Sequence, residues 1–221
     1  MIITSPANPR IKLLRKLQQR KYREEYDRYY LEGPRHVLEA LESQVGIDYV
    51  VVCPELLTDP QQTLTSLGRH LHPDQILNVS SDTFSSFSLK DGPKGMAAVV
   101  HRPQIALSEL GQPAWGWVAL SSVANPGNLG TIIRTCDAVG VDGLILLDRS
   151  TDPYDPTALR AGMGAHFTVR VGRTDFSELV AWKEKHKIPL IGTSDRAPSD
   201  YHQVTYPDHF ILLMGSEREG L

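Results

Sequence analysis

Arg134 is the first residue to account for. It stands in "NPGNLGTIIRTCDAVG", residues 125–140, a stretch whose Leu129, Ile132, Ile133, Cys136 and Val139 recur at i, i+3, i+4, i+7 and i+10. That spacing predicts a helix over 128–139 with one apolar stripe, and Arg134 falls off the stripe between two threonines. A fixed cation on such a helix can clamp an anion or stabilise developing negative charge. Three segments put small or polar residues directly after apolar runs: "ANPGN" (124–128), "GTSDRA" (192–197) and "MGSEREG" (214–220). Each is either an ordinary turn or part of a pocket, because glycine at such a turn lets backbone approach a ligand closely. Three on one sheet edge favour the pocket.

Several chemistries are excluded by what the sequence lacks. "PGNLG" supplies only G-x-x-G, short of a dinucleotide fingerprint, and the phosphate-loop lysine pattern is absent. No His-Glu-x-x-His occurs, and Ser121 and Ser122 lack the Gly-x-Ser-x-Gly surround of a hydrolase nucleophile. Cys53 and Cys136 are the only cysteines, too few for a disulfide framework or a cysteine metal site. No metal is expected.

The elements that must position these residues follow from the apolar pattern. Up to about residue 100, strand-like and helical runs alternate and make one small α/β domain. Its first helix keeps Ile11, Leu14 and Leu17 on one face. "HRPQIALSELGQPA", residues 101–114, breaks the alternation with two prolines and polar filler and is expected to be a linker. From Trp115 to Leu221 the alternation restarts with "WGWVALSSV", "GLILLD", "FTVRV", "PLIGTS" and "HFILLMGSE" as strands. Apolar strands separated by helices imply a mostly parallel sheet with right-handed crossovers, whose ligands bind at the carboxyl ends of the strands.

Charge is uneven. The chain has 221 residues and a net charge of −3, yet residues 1–35 hold nine Lys/Arg against four acids, which leaves +5 there and −8 elsewhere. This basic arm is either a solvated helix face or a surface for a polyanion. No apolar run approaches the roughly 18 residues of a membrane-spanning helix, and the N-terminus lacks an apolar leader, so the expected compartment is the cytoplasm.

"NPGNLGTIIRTCDAVGVDGLILL" resembles the first motif of the SpoU-type (TrmH-like) RNA ribose 2′-O-methyltransferases of the SPOUT class. "TALRAGMGAHFTVRV" is similar to that family's middle block and "FILLMGSEREGL" to its second motif. Residues 8–41 and "LKDGPKGMAAVV" resemble the L30e-like substrate-binding domain that many members carry. The resemblance implies three parts: an RNA-binding domain over 1–100, a linker over 101–114, and a trefoil-knot-class methyltransferase domain over 115–221.

It further implies S-adenosylmethionine as cofactor and a ribose 2′-hydroxyl of structured RNA as acceptor, with 23S rRNA ahead of tRNA. A homodimer is implied as well. Arg134 would face the target ribose, as a base or as a phosphate and oxyanion clamp. Asn128 would support it or simply cap the helix, and Glu217 would align Arg134 or the second-motif loop. Gly192, Thr193 and Gly215 would approach the cofactor. Arg10, Lys16, Arg20, Lys21, Arg23 and Arg35 would track RNA phosphates, and Tyr22, Tyr26, Tyr29 and Tyr30 either stack on bases or fill the core. The family's third motif, a strand and a Ser-x-Asn-Val-Ser helix, is absent before Leu221. The expectation is therefore a C-terminally truncated member, with a non-catalytic RNA-binding protein of the same fold as the alternative.

Overall fold

Asn8 and Pro9 start the first helix: the Asn8 side chain accepts the Arg10 amide at 2.9 Å, and proline fits the first turn, where no amide partner is needed. The helix, α1 (Pro9–Leu17), buries Ile11, Leu14 and Leu17 completely. Each such burial contributes about 1.5–3 kcal/mol. The computed structural model describes residues 2–89, 92–111, 115–216 and 220–221. Its contacts divide the chain into two units, the first running to Pro103 and including Tyr154–Pro156.

In the first unit, β1 (Ile2–Ile3) and α1 are followed by α2 (Arg20–Tyr26), β2 (Arg28–Glu32), α3 (Pro34–Glu42) and β3 (Ile47–Val52). Then come α4 (Pro60–Leu67), β4 (Ile76–Val79), α5 (Ser81–Ser85) and β5 (Met96–His101). The sheet order is β1-β4-β3-β5-β2, with β5 antiparallel to both β2 and β3 and the other pairs parallel. The α1 residues pack with Tyr30, Tyr49, Val51, Phe84 and Phe87. Both Tyr29 and Tyr30 are thus core residues, whereas Tyr22 and Tyr26 keep exposed surface.

The second unit contains β6 (Gly116–Ser121), α6 (Pro126–Val139), β7 (Gly143–Leu147), α7 (Pro156–Gly162), β8 (Arg170–Thr174), α8 (Phe176–His186), β9 (Leu190–Gly192) and β10 (Phe210–Met214). Its five strands are all parallel in the order β8-β7-β6-β10-β9. Alternate residues serve opposite faces, as the strand period requires. Trp117, Ala119, Ile145 and Leu147 pack with Leu179 and Trp182 of α8. Leu120, Leu144 and Leu146 pack with Leu129, Ile133 and Cys136 of α6. Among the described residues no helix is long and apolar enough to cross a membrane.

Two expectations need correction. Val139, placed on the apolar stripe, is 64% exposed, and Gly130 is buried in its stead. At about 100° per residue Val139 lies about 80° from Leu129, on the side away from Gly130, so the stripe has already turned outward there. The stretch read as linker is partly built into the second unit. Ile105 bridges to Gly172, Leu110 joins the core beside Trp117, and the Arg170 guanidinium donates to the Leu110 carbonyl at 3.2 Å. Prolines and polar neighbours hide this short apolar pair.

Candidate active site

β6 is the pivot of the parallel sheet. The chain moves from it outward through β7 and β8, then returns to the other side through β9 and β10. The order reverses between β6 and β10, and the carboxyl ends of strands at such a reversal are where open α/β sheets bind ligands. An open cleft of about 1070 Å³ lies at the carboxyl ends of β9 and β10, next to that reversal on the β10 side, lined by Gly192, Thr193, Tyr201, Tyr206, Met214 and Gly215 among others. Its size suits a small-molecule ligand. The segments after β9 and β10 meet in it, and with them all three residues expected at a cofactor; 124–128 does not line it.

Each wall has a local cause. The Thr193 amide and hydroxyl both donate to the Leu213 carbonyl, at 3.0 and 3.2 Å, which ties the loop after β9 to β10. Ser216 and Gly220 exchange backbone hydrogen bonds of 3.2 and 3.0 Å. A Cβ on Gly215 would stand 2.1 Å from the Gly220 carbonyl carbon, so glycine is required there by the returning chain itself. At Gly192 a Cβ would meet only the tip of Leu221, at 3.1 Å, and that side chain can yield. Glu217 lies outside the described residues.

α6 begins two residues earlier than its apolar spacing suggests. Asn125 is the cap: its side chain accepts from the Gly127 and Asn128 amides at 2.8 and 3.3 Å, with Pro126 at the first helical position. Asn128 is therefore not the N-cap but an exposed residue of the first turn. The Asn-Pro pair is itself a start signal that apolar periodicity overlooks. Gly140, with φ of 69°, closes the helix in the left-handed region. Arg134 is exposed, and among the described residues its guanidinium has no hydrogen bond or ion pair. The flanking hydroxyls turn inward, Thr131 to the Gly127 carbonyl at 3.0 Å and Thr135 to that of Thr131 at 3.1 Å. Neither Asn128 nor Arg134 is among the residues lining the cleft.

The basic arm is not uniform. Arg10, Lys16, Arg20, Lys21 and Arg35 are exposed. Lys16 donates to the Tyr26 hydroxyl at 3.3 Å and lies over the Tyr22 and Tyr26 rings, and that hydrogen bond raises its pKa. Arg20 pairs with Glu24 at 2.7 Å. Arg23 is a correction: it is 1% exposed, and its guanidinium donates to the Leu17 and Gln18 carbonyls at 3.0 and 2.9 Å and approaches Asp155 at 3.5 Å. It closes the end of α1 and is unavailable to a phosphate.

Thiol chemistry has no support. Cys136 is buried in the α6 core, which pushes its pKa to about 11, and burial also raises that of Cys53. Among the described residues no group of three or more His, Cys, Asp and Glu could hold a metal ion.

Residues 117–221 match the SpoU rRNA Methylase family, and residues 8–98 match the MRM3-like substrate binding domain. The chain is 30% identical over 219 residues to the 23S rRNA (guanosine(2553)-2'-O)-methyltransferase RlmP of Bacillus subtilis, covering 99% of this chain and 84% of that protein. This chain belongs to the SpoU rRNA methylase family. Among solved SpoU and related structures, the AdoMet-bound rRNA methyltransferase from Sinorhizobium meliloti superposes with a TM-score of 0.87 at 30% identity, covering all of this chain and 83% of that one. The SpoU methyltransferase AviRb from Streptomyces viridochromogenes, in complex with AdoMet, gives 0.87 at 25% identity over 97% of this chain and 83% of its own. The likeness to SpoU proteins thus spans both units.

Proposed function

We propose that this chain transfers the methyl group of S-adenosylmethionine to a ribose 2′-hydroxyl of structured RNA, with 23S rRNA ahead of tRNA as substrate. The observation that carries this reading is the meeting of Gly192, Thr193 and Gly215 in one cleft at the carboxyl ends of β9 and β10. The cleft suits that cofactor. Ile191, Leu212 and Met214 offer an apolar wall, Tyr201 and Tyr206 offer aromatic faces, and the glycine-rich rim exposes backbone. The bound sulfonium supplies an activated methyl group, so the protein must chiefly orient the acceptor and manage its proton.

Arg134 is the residue assigned to the acceptor, with Asn128 beside it in the same helix. A guanidinium stays protonated near neutral pH and does not act as a base there. The role that fits is to hold the adjoining phosphate and stabilise negative charge developing on the 2′-oxygen. Glu217 is the carboxylate assigned to align Arg134 or the second-motif loop. Residues 1–100 act as the RNA-binding domain, with Arg10, Lys16, Arg20, Lys21 and Arg35 as phosphate contacts. Residues 115–221 form the transfer domain, of the trefoil-knot class. The working form is a cytoplasmic homodimer, and sedimentation should report twice the chain mass.

Calorimetric titration of S-adenosylmethionine tests the cofactor assignment. One site per chain is expected, with binding weakened by Gly192→Trp. Absence of heat from a folded chain would remove the cleft from the account.

A further inference from the structure

The geometry points to Arg173 as a positioning residue for the helix that carries Arg134. This rests on Arg134 acting in methyl transfer, as proposed above. β6 and β7 are each followed directly by a non-glycine residue in the left-handed region, Ser122 with φ of 56° and Asp148 with φ of 53°. Such backbone persists only where its surroundings fix it.

A small buried ladder provides the fixing. Ser150 is fully buried; its hydroxyl accepts the Val123 amide at 3.3 Å and donates toward the carbonyls of Leu147 and Leu120, at 2.8 and 3.3 Å. The Thr151 amide donates to the Val123 carbonyl at 2.7 Å. Val123 is thus held by both its amide and its carbonyl. Arg173 of β8 then fastens the residues that hold it: Nη1 donates to the Ser150 carbonyl at 3.0 Å and Nη2 to the Thr151 carbonyl at 2.7 Å.

Val123 precedes the α6 cap, Asn125, by two residues. The bonded path therefore runs from Arg173 through Ser150 and Thr151 to Val123, and from there along the chain into α6. An α-helix moves as a rigid element, so a shift of its first turn is carried to Arg134. A planar fork is the group that suits two neighbouring carbonyls; a lysine ammonium is a compact point charge on a flexible stem and lacks that fixed geometry. No motif marks Arg173 in "FTVRVGRTDF", since its partners lie more than 20 residues away.

The test uses the full chain with Arg173→Lys, and with Ser150→Ala as a milder cut in the same ladder. For each, single-turnover methyl transfer to an rRNA transcript, calorimetric affinity for S-adenosylmethionine, RNA affinity, melting temperature and amide exchange are measured. Arg173→Lys should lower the transfer rate about tenfold or more while both affinities stay within about twofold, the signature of misplaced reacting groups. Exchange should accelerate at Val123, Thr151, Gly127 and Asn128 and stay slow in β6 and β10. Ser150→Ala should give the same pattern at smaller amplitude. Unchanged turnover, or a loss that tracks cofactor affinity or melting, overturns the role. Undiminished turnover in Arg134→Ala sinks the reading beneath it, and the exchange pattern then still decides whether Arg173 orders this loop. If Arg173→Lys does not fold, normal turnover and exchange in Ser150→Ala overturn the proposal.

Discussion

Gly130 of α6 lies so close to Ala158 of α7 that a Cβ at position 130 would stand 2.2 Å from the Ala158 carbonyl oxygen. The obstacle is backbone, so no rotamer change relieves it. Gly130→Ala should therefore destabilise the chain by about 1–3 kcal/mol, despite alanine's better helix propensity. A urea titration with an unchanged or higher midpoint would mean that the two helices separate freely.

The helix start separates two asparagines. Asn125→Ala should cost about 1 kcal/mol of stability, because two amides lose their acceptor. Asn128→Ala should cost less stability than Asn125→Ala and lower methyl transfer. Melting and turnover measured on both variants check this; equal stability losses would contradict the capping assignment.

Arg23 is a structural cation among RNA-facing ones. Arg23→Ala should cost on the order of 3 kcal/mol, since it removes a buried cation that donates to the Leu17 and Gln18 carbonyls and faces Asp155. Lys21→Ala should instead preserve stability and reduce the slope of log affinity against log salt by about 0.7–0.9. RNA binding measured across a salt series distinguishes them.

Asp48 gives an acid-side prediction. Partial burial works to raise its pKa, but hydrogen bonds from Arg28 and His101, each 2.7 Å long, outweigh that and lower it. A carboxylate lowered by folding contributes stability above its unfolded pKa of about 3.9, and that contribution disappears as pH falls through the lower folded value. Asp48→Asn should reduce the difference in urea midpoint between neutral pH and the region below about pH 4. An identical pH dependence in the variant would count against the link.

Repetition made much of the architecture legible. Ile11, Leu14 and Leu17 announce a buried helix face, and runs such as "YVVV" and "GLILL" announce central strands. Gly192, Thr193 and Gly215 were legible as neighbours because parallel strands bring their carboxyl ends to one edge. What escaped depends on residues distant in sequence. Arg23 looks like any of nine cations until Asp155 is beside it. Ile105 and Leu110 look like loop residues until Gly172 and Trp117 meet them. Asn125 is the exception, because the following Pro126 marks it and the apolar stripe drew attention past it.

The central claim is methyl transfer to a ribose oxygen by a site that includes Arg134. Its most direct test is transfer from methyl-labelled S-adenosylmethionine to a 23S rRNA transcript, followed by alkaline hydrolysis, with the chain and its Arg134→Ala variant in parallel. A 2′-O-methyl group blocks cleavage at its own nucleotide, so the account predicts label in alkali-resistant dinucleotides. In the variant the rate should fall about 10²- to 10³-fold with RNA affinity little changed. Label released in mononucleotides, or full turnover in the variant, would contradict it.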